Sequence, residues 1–327
     1  MLWPNPRPGR ETVNSYEGII DYNSEREAMT GGNGAPSHAT LLHRGLSSGN
    51  IILTPGCYDA LSASLIERAG FAAAYLSGAS IAYTRLGRPD IGLVSMTEVA
   101  ETVGAIRDRV NIPLLVDADT GFGNAINVQR TTRLFERAGA SAIQLEDQRL
   151  PKRCGHLAGT SLVSIAEMTG KIRAACDARS HAATMIIART DSVAIEGLDA
   201  AFDRAERYIS AGADVLFVEA LPDVIAMRRV TERFAPRIPV LANMVEGGKT
   251  PLLPAAELQG LGFAIAIFPG AMVRVQTFAA IKYLKALKRE GTTNSLLEEM
   301  LNFSQLNELL GTKQYLERGQ HYDSSDT

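Results

Sequence analysis

Cysteine is scarce in this chain of 327 residues. The three present, Cys57, Cys154 and Cys176, fit no C-x-x-C spacing and are odd in number, which argues against both a thiolate zinc site and a disulfide framework. Long apolar runs are missing too. Nothing approaches the roughly 18 consecutive apolar residues that a membrane span needs, and no charged-then-apolar leader opens the chain, so a cytoplasmic protein without a membrane partner is expected. The formal net charge of -3 leaves no basic excess to attract nucleic acid. A G-x-G-x-x-G turn is also absent after the first strand-like run, where Thr54-Pro-Gly-Cys-Tyr-Asp59 stands instead. That absence disfavours a doubly wound dinucleotide-binding sheet.

Apolar residues make up 46% of the chain, enough for a substantial core at this length. Residues 1–45 mix Pro, Gly, Asn, Ser and Arg without apolar periodicity and read as an arm or disordered tail. Trp3, the only tryptophan, is either an anchor for that arm or incidental to it. Further on, eight short apolar runs at 51–54, 72–76, 113–116, 142–145, 185–188, 215–218, 239–242 and 264–268 alternate with amphipathic stretches at 60–69, 97–109, 125–138, 165–178, 199–211 and 223–234. Runs that are apolar almost throughout belong to parallel strands covered on both faces. Eight such units predict an α/β fold, a (β/α)8 TIM barrel over residues 46–290. The phrases Arg137-Ala-Gly-Ala140 and Ser210-Ala-Gly-Ala213 agree, because glycine closes a helix just before the next strand. Residues 273–289 read as a long helix, and 291–327 as a helical appendage beyond the barrel. Its apolar positions predict a homo-oligomer.

In such barrels reactive groups come from the C-terminal ends of strands. Those ends supply Tyr75-Leu-Ser-Gly-Ala79, Asp117-Ala-Asp119, Glu146-Asp147, Arg189-Thr-Asp191, Glu219, Asn243 with Glu246, and Pro269. Asp117, Asp119, Glu146 and Glu219 would repel one another across a small mouth unless a cation neutralised them. Oxygen ligands suit Mg²⁺, with Mn²⁺ as a substitute. Asp117 and Asp119 would point to one side of an extended chain. Arg189 is either a bidentate grip for a carboxylate or phosphate, or the structural partner of Glu219 or Glu146. Arg274, after the last strand, is a second anion-gripping candidate or a surface helix residue.

The densest stretch is 146–156, which gathers Glu146, Asp147, Lys152, Arg153, Cys154 and His156. Gly155 lets the backbone approach a ligand closely, and Lys152, Arg153 and His156 favour the Cys154 thiolate or make the thiol a ready proton donor. Cys57 and Cys176 read as packed small hydrophobes. His38, His43, His181 and His321 read as solvated.

Taken together, Val116-Asp-Ala-Asp-Thr-Gly-Phe-Gly123, Leu145-Glu-Asp-Gln148, Lys152-Arg-Cys-Gly-His156, Ile187-Ala-Arg-Thr-Asp191 and Leu241-Ala-Asn-Met-Val-Glu-Gly-Gly248 resemble the isocitrate lyase and phosphoenolpyruvate mutase superfamily, over about 50–320. The cysteine phrase looks like the lyase branch, which includes methylisocitrate lyase, 2,3-dimethylmalate lyase and oxaloacetate acetylhydrolase. The last phrase is more similar to the dimethylmalate lyase and oxaloacetate hydrolase group. The resemblance implies homotetramers, dimers of dimers with the terminal helix exchanged between subunits. It implies Mg²⁺ near Asp117 and Asp119, with Asp90 and Glu146 around it. It also implies a small 2-hydroxy or 2-oxo dicarboxylate bound by Tyr75, Ser77, Gly78, Ala79, Gly155, His156, Arg189, Glu219 and Asn243, with Cys154 as the acid.

The expected reaction is retro-aldol cleavage of a 2-hydroxy diacid, with Tyr75 or a metal-held water, aided by Glu219, as base. Alternatives are hydrolysis of oxaloacetate to oxalate and acetate, a carboxyphosphonoenolpyruvate phosphonomutase, and a non-catalytic binding protein on the barrel. Ala79, Thr160 and Pro269-Gly-Ala depart from phrases common in the lyases, which bears on the substrate's side chain.

Overall fold

The computed structural model describes residues 36–153, 155 and 159–323. Eight strands, β1 (Ile52–Cys57), β2 (Ala74–Leu76), β3 (Leu114–Asp117), β4 (Ala142–Glu146), β5 (Met185–Thr190), β6 (Val215–Val218), β7 (Val240–Asn243) and β8 (Ile265–Phe268), pair in parallel and in sequence order until β8 returns to β1. This closed barrel is the one expected from the eight apolar runs.

Helices cross between the strands: α1 (His38–Ser47) ahead of β1, then α2 (Ala60–Arg68), α3 (Gly78–Ile81), α4 (Met96–Arg107), α5 (Ala125–Ala138), α6 (Ile165–Ala178), α7 (Val193–Glu196), α8 (Leu198–Ser210), α9 (Val224–Phe234) and α10 (Ala255–Leu261), with α11 (Ala271–Glu290) after β8. Local sequence explains their ends. In α5, the Asn124 side chain accepts from the backbone N–H groups of Ile126 and Asn127, and Gly139 at φ 110° closes the helix, the conformation that favours glycine. Val128, Thr131, Thr132 and Phe135 form its buried stripe, at the spacing of one helical face.

Outward-facing strand residues such as Val116, Ile143 and Ala188 pack with these helices. Inward-facing ones, among them Ile52, Tyr75, Leu115, Ala142, Ile187 and Phe217, form a separate core inside the barrel.

Two corrections to the arm follow. Residues 38–47 are helical, capped by Ser37, and Leu42 is buried in the interior core with Ile52, Met185, Val215 and Ile265, at the end where the strands begin. The stripe of Ala39, Leu42 and Leu46 was too short to stand out among polar residues. His38 is half-buried rather than solvated, and burial, with Arg107 nearby, lowers its pKa to about 4. Residues 1–35, including Trp3, lie outside the described residues.

The short elements α10 and α3, the latter continuing into a π-helical turn at Ala82–Leu86, also escaped the periodicity reading. Each spans too few turns to show a pattern.

By its contacts the chain divides after Ile281. The second unit, described over 282–323, holds the end of α11, a 3₁₀ turn (Asn294–Glu299), α12 (Phe303–Leu310) and α13 (Thr312–Asp323). Lys282 pairs with Glu299, Leu296 and Leu309 are buried, and Phe303 is 85% exposed. Among the described residues no helix is long and apolar enough to cross a membrane.

Candidate active site

Side chains alternate across a strand, so the interior core dictates what the rim presents. Above Ala142 and Gln144 the next inward position on β4 is Glu146; above Met185 and Ile187 on β5 it is Arg189; above Val215 and Phe217, past the end of β6, it is Glu219. All three are buried and line one cavity of about 60 Å³. Tyr75, Ser77, Ala79, Asp90, Asp117, Gly155 and Asn243 line it too, as do Lys152, Arg153, Val245, Ile267 and Pro269. The strand ends thus gather most of the expected residues at one mouth.

Arg189 is the hub. Its guanidinium meets Asp191 through two hydrogen bonds and lies 3.4 Å from both Glu146 and Glu219, with Phe217 beneath it at 5.1 Å to the ring centre. Burial opposes its charge, but Asp191, Glu146 and Glu219 outweigh burial and hold the pKa well above the ordinary arginine value. The ion pairs with Glu146 and Glu219 therefore exist, and Asp191 is a third partner. Glu219 in turn accepts from Asn243 at 2.9 Å and from the Ala220 N–H at 2.7 Å.

The acids after β3 reach one side, though not by extended alternation. Asp119 has φ 47°, and its N–H turns back to Asp117 Oδ1 at 3.1 Å. A Cβ on Gly78 would stand 3.2 Å from Asp117 Oδ2 and 3.4 Å from Asp119 Oδ1, so Gly78 backs onto both carboxylates. Lys152 pairs with Asp90 and, at 2.7 Å, with Asp119. Burial would strip its proton, yet Asp119, Glu146 and Asp90 keep its pKa well above normal. The Lys152 charge is thus held by acids.

One oxygen remains poorly served: Glu146 Oε1 is buried without a hydrogen-bond partner, whereas Asp119 Oδ1 has the Lys152 ammonium at 2.7 Å. Burial pushes Asp119 up to about 6 and Glu146 well above its usual value, only partly offset by Lys152 and Arg189 respectively. Among the described residues no three His, Cys, Asp or Glu side chains already form a ligand cluster. A small hard cation at this mouth would take one or two carboxylates and fill its remaining positions with water and substrate oxygens.

Tyr75 donates from its hydroxyl to Gln144 at 3.1 Å, and Gln144 donates to Asp117 at 3.2 Å. Burial first, then Asp117, lifts the phenol far above its usual pKa, which gives Tyr75 the character of a donor rather than a base. Gly155 is pressed into the site: a Cβ there would lie 2.6 Å from Arg189 Nη2 and Asp191 Oδ1 and 2.8 Å from Glu219 Cγ. Cys154 and His156 lie outside the described residues.

A family model described as phosphoenolpyruvate phosphomutase matches residues 42–288. The chain belongs to the phosphoenolpyruvate mutase/isocitrate lyase superfamily. Its similarity to curated superfamily members is extensive. It is 45% identical to the 2,3-dimethylmalate lyase of Eubacterium barkeri over 279 residues, 85% of this chain and 95% of that protein. It is 43% identical to a 2-methylisocitrate lyase of Aeropyrum pernix over 269 residues, 82% of this chain and 86% of that one. A crystal structure of 2,3-dimethylmalate lyase superimposes with a TM-score of 0.84 at 35% identity, covering 89% of this chain and 97% of that one. Oxaloacetate acetylhydrolase bound to 3,3-difluorooxalacetate gives 0.83 at 31% identity, covering 89% and 99%.

Within this superfamily frame one expected residue falls away from the site. Arg274 is exposed on α11 and donates to the Glu246 carbonyl at 2.7 Å and carboxylate at 3.2 Å, because the helix that carries it starts after the rim has turned outward. Others were missed. Gln144 sits inside a strand read as apolar, although strict alternation to Glu146 could have flagged it. Asp191 is two residues beyond Arg189, Lys152 was weighed only as a neighbour of the cysteine, and Gln148 only as part of the Leu145–Gln148 phrase. Asp147 faces away from the cavity, accepting from Tyr208 at 2.7 Å, Thr190 at 2.8 Å and the Asp191 N–H at 2.9 Å. It braces β5 from behind.

Proposed function

We propose that this chain is a Mg²⁺-dependent carbon–carbon lyase that cleaves a small 2-hydroxy dicarboxylate to a 2-oxo acid and a second carboxylic acid. One observation carries the reading: Glu146 Oε1, a buried carboxylate oxygen without a hydrogen-bond partner, belongs to a cavity that Asp117 and the Arg189 guanidinium also line. A cation and an organic anion are what such a place accepts. Asp117 and Asp119 would hold the ion, with Asp90 and Glu146 around it, and Mn²⁺ would substitute. When bound, the ion supplies a Lewis acid for the substrate's hydroxyl and adjacent carboxylate.

The chain's own groups do the rest. Transfer of the hydroxyl proton to Glu219 on the cavity wall lets a carbonyl form as the C2–C3 bond breaks, and the electron pair of that bond passes to C3 and the second carboxylate. Arg189, already charged and held in place, offsets that growing negative charge without reorganising. Cys154 delivers the proton to C3, a role that rests on the superfamily resemblance. Gly155, packed onto Arg189, Asp191 and Glu219, keeps water from that side, so the carbanion meets the intended proton source. Tyr75 and Gln144 orient Asp117. Asn243 holds Glu219.

A second reading, hydrolysis of oxaloacetate to oxalate and acetate, is favoured by the superposition on oxaloacetate acetylhydrolase. One experiment separates the two. Chelator-treated protein is incubated with 2,3-dimethylmalate, 2-methylisocitrate or oxaloacetate, with and without Mg²⁺, and products are identified. Pyruvate with propionate or succinate, only with Mg²⁺, supports the lyase; oxalate with acetate supports the hydrolase; isomerisation of phosphonopyruvate, added as a further substrate, to phosphoenolpyruvate would indicate a mutase. No turnover of any of these would leave a binding protein.

A further inference from the structure

We propose that Gln148 is a positioning residue that ties the loop carrying Gly155 to the Asp191–Arg189 pair. Its buried side-chain amide uses both ends. Nε2 donates to the Arg153 carbonyl at 2.9 Å and to Asp191 Oδ1 at 3.1 Å, while Oε1 accepts from the Arg153 N–H at 2.9 Å. One side chain therefore pairs with the N–H and the C=O of a single loop residue, as a neighbouring strand would. The third bond lands on the oxygen that also receives Arg189 Nη2 at 2.8 Å. Gly155, two residues past Arg153, presses on that same oxygen.

The backbone of Gln148 is fixed independently. It forms a bridge with Leu162, and the flanking bonds from Arg149 N–H to the Ser161 carbonyl at 2.7 Å and from Val163 N–H to the Asp147 carbonyl at 2.9 Å clamp the foot of the loop. The amide thus projects from a rigid base to the loop. All three Gln148 bonds exist together; a side chain unable to make them would leave buried groups at Asp191 and Arg153 short of partners, and unpaired buried groups are costly. Gln148 couples the position of the loop to the alignment of Arg189.

The proposal deepens the lyase reading, and only its kinetic arm depends on that reading. Full-length wild type, Gln148→Ala and Gln148→Glu are compared. Glutamate fills the same space but cannot donate to the Arg153 carbonyl and sets a carboxylate against Asp191, so a merely space-filling role would tolerate it. Both variants are expected to be cut by trypsin after Lys152 and Arg153 about tenfold faster or more than wild type, with melting temperatures close to wild type. With the diacid that the lyase cleaves, kcat should fall about tenfold or more while KM changes less.

In untouched wild type the Arg153 amide proton should exchange slowly. Unchanged tryptic cleavage in both variants, or exchange of the wild-type Arg153 amide at the rate of a free peptide, overturns the proposal whether or not a substrate is found. Normal proteolytic effects with no turnover of any diacid would instead overturn the lyase reading and leave Gln148 as the tie.

Discussion

Asp191 holds Arg189 through two parallel hydrogen bonds, Nε to Oδ2 at 2.9 Å and Nη2 to Oδ1 at 2.8 Å. This is the bidentate geometry that fixes a guanidinium in plane as well as in place. The pair is buried, so its integrity matters to both stability and catalysis. Asp191→Ala should cost about 3 kcal/mol, the low end for a buried pair that loses one partner, because Glu146 and Glu219 still face the arginine. Urea unfolding measures the cost; a midpoint equal to wild type would show that Asp191 adds nothing.

Gly155→Ala introduces a methyl group where Arg189, Asp191 and Glu219 leave no room. The loop must then stand off, and turnover should drop about tenfold to a hundredfold. Because the residue lies in a loop, the thermal midpoint should barely move. Wild-type turnover in this variant would mean that the close approach has no part in the reaction.

Tyr75→Phe separates a base from a hydrogen-bond donor. Removing the hydroxyl leaves Gln144 Oε1 buried and short of a partner, at a stability cost of about 1–2 kcal/mol. The phenol's raised pKa makes it a poor proton acceptor, so turnover should stay within about tenfold of wild type with an unshifted pH profile. A fall of roughly a thousandfold would restore Tyr75 as the base.

His38 predicts a pH effect away from the active site. Its folded pKa is lowered to about 4 by burial and Arg107, below the usual histidine value of about 6.5. The unfolded chain therefore takes up the proton first as pH falls. Stability present above about pH 6.5 is lost progressively toward pH 4 and levels off below it. His38→Gln should flatten that part of the stability curve, measured by denaturant unfolding at several pH values. An unchanged slope would assign it to other groups.

Phe303 is 85% exposed and Phe278 74%, unusual for large aromatics on a solitary surface. Self-association through the C-terminal helices, as a homotetramer, is the expected cover. Phe303→Asp should shift the mass measured by light scattering to a smaller species without unfolding the barrel, and a monomeric wild type would end this expectation.

The barrel was legible because its strands are apolar on both faces, so that eight runs stand out without any tertiary information. The rim was legible where charge interrupts such a run, as at Asp117, Glu146 and Arg189. Polar residues whose partners are distant in sequence were harder to read. Gln144 serves Tyr75 and Asp117, Gln148 serves Arg153 and Asp191, and nothing local marks either as more than a polar side chain. α1 was lost for the opposite reason: its contribution to the core is essentially Leu42, a single residue in a polar neighbourhood. Arg274 stayed open between an anion grip and a surface helix position because sequence proximity to the last strand does not give proximity to the mouth, and its exposed place on α11 is the second.

Leu42 also has a consequence for traffic. By filling the interior where the strands begin, it corks one end of the barrel, so arriving and departing molecules share the opposite opening. Release and entry then compete for one doorway, and slow-leaving products should act as inhibitors of the next turnover.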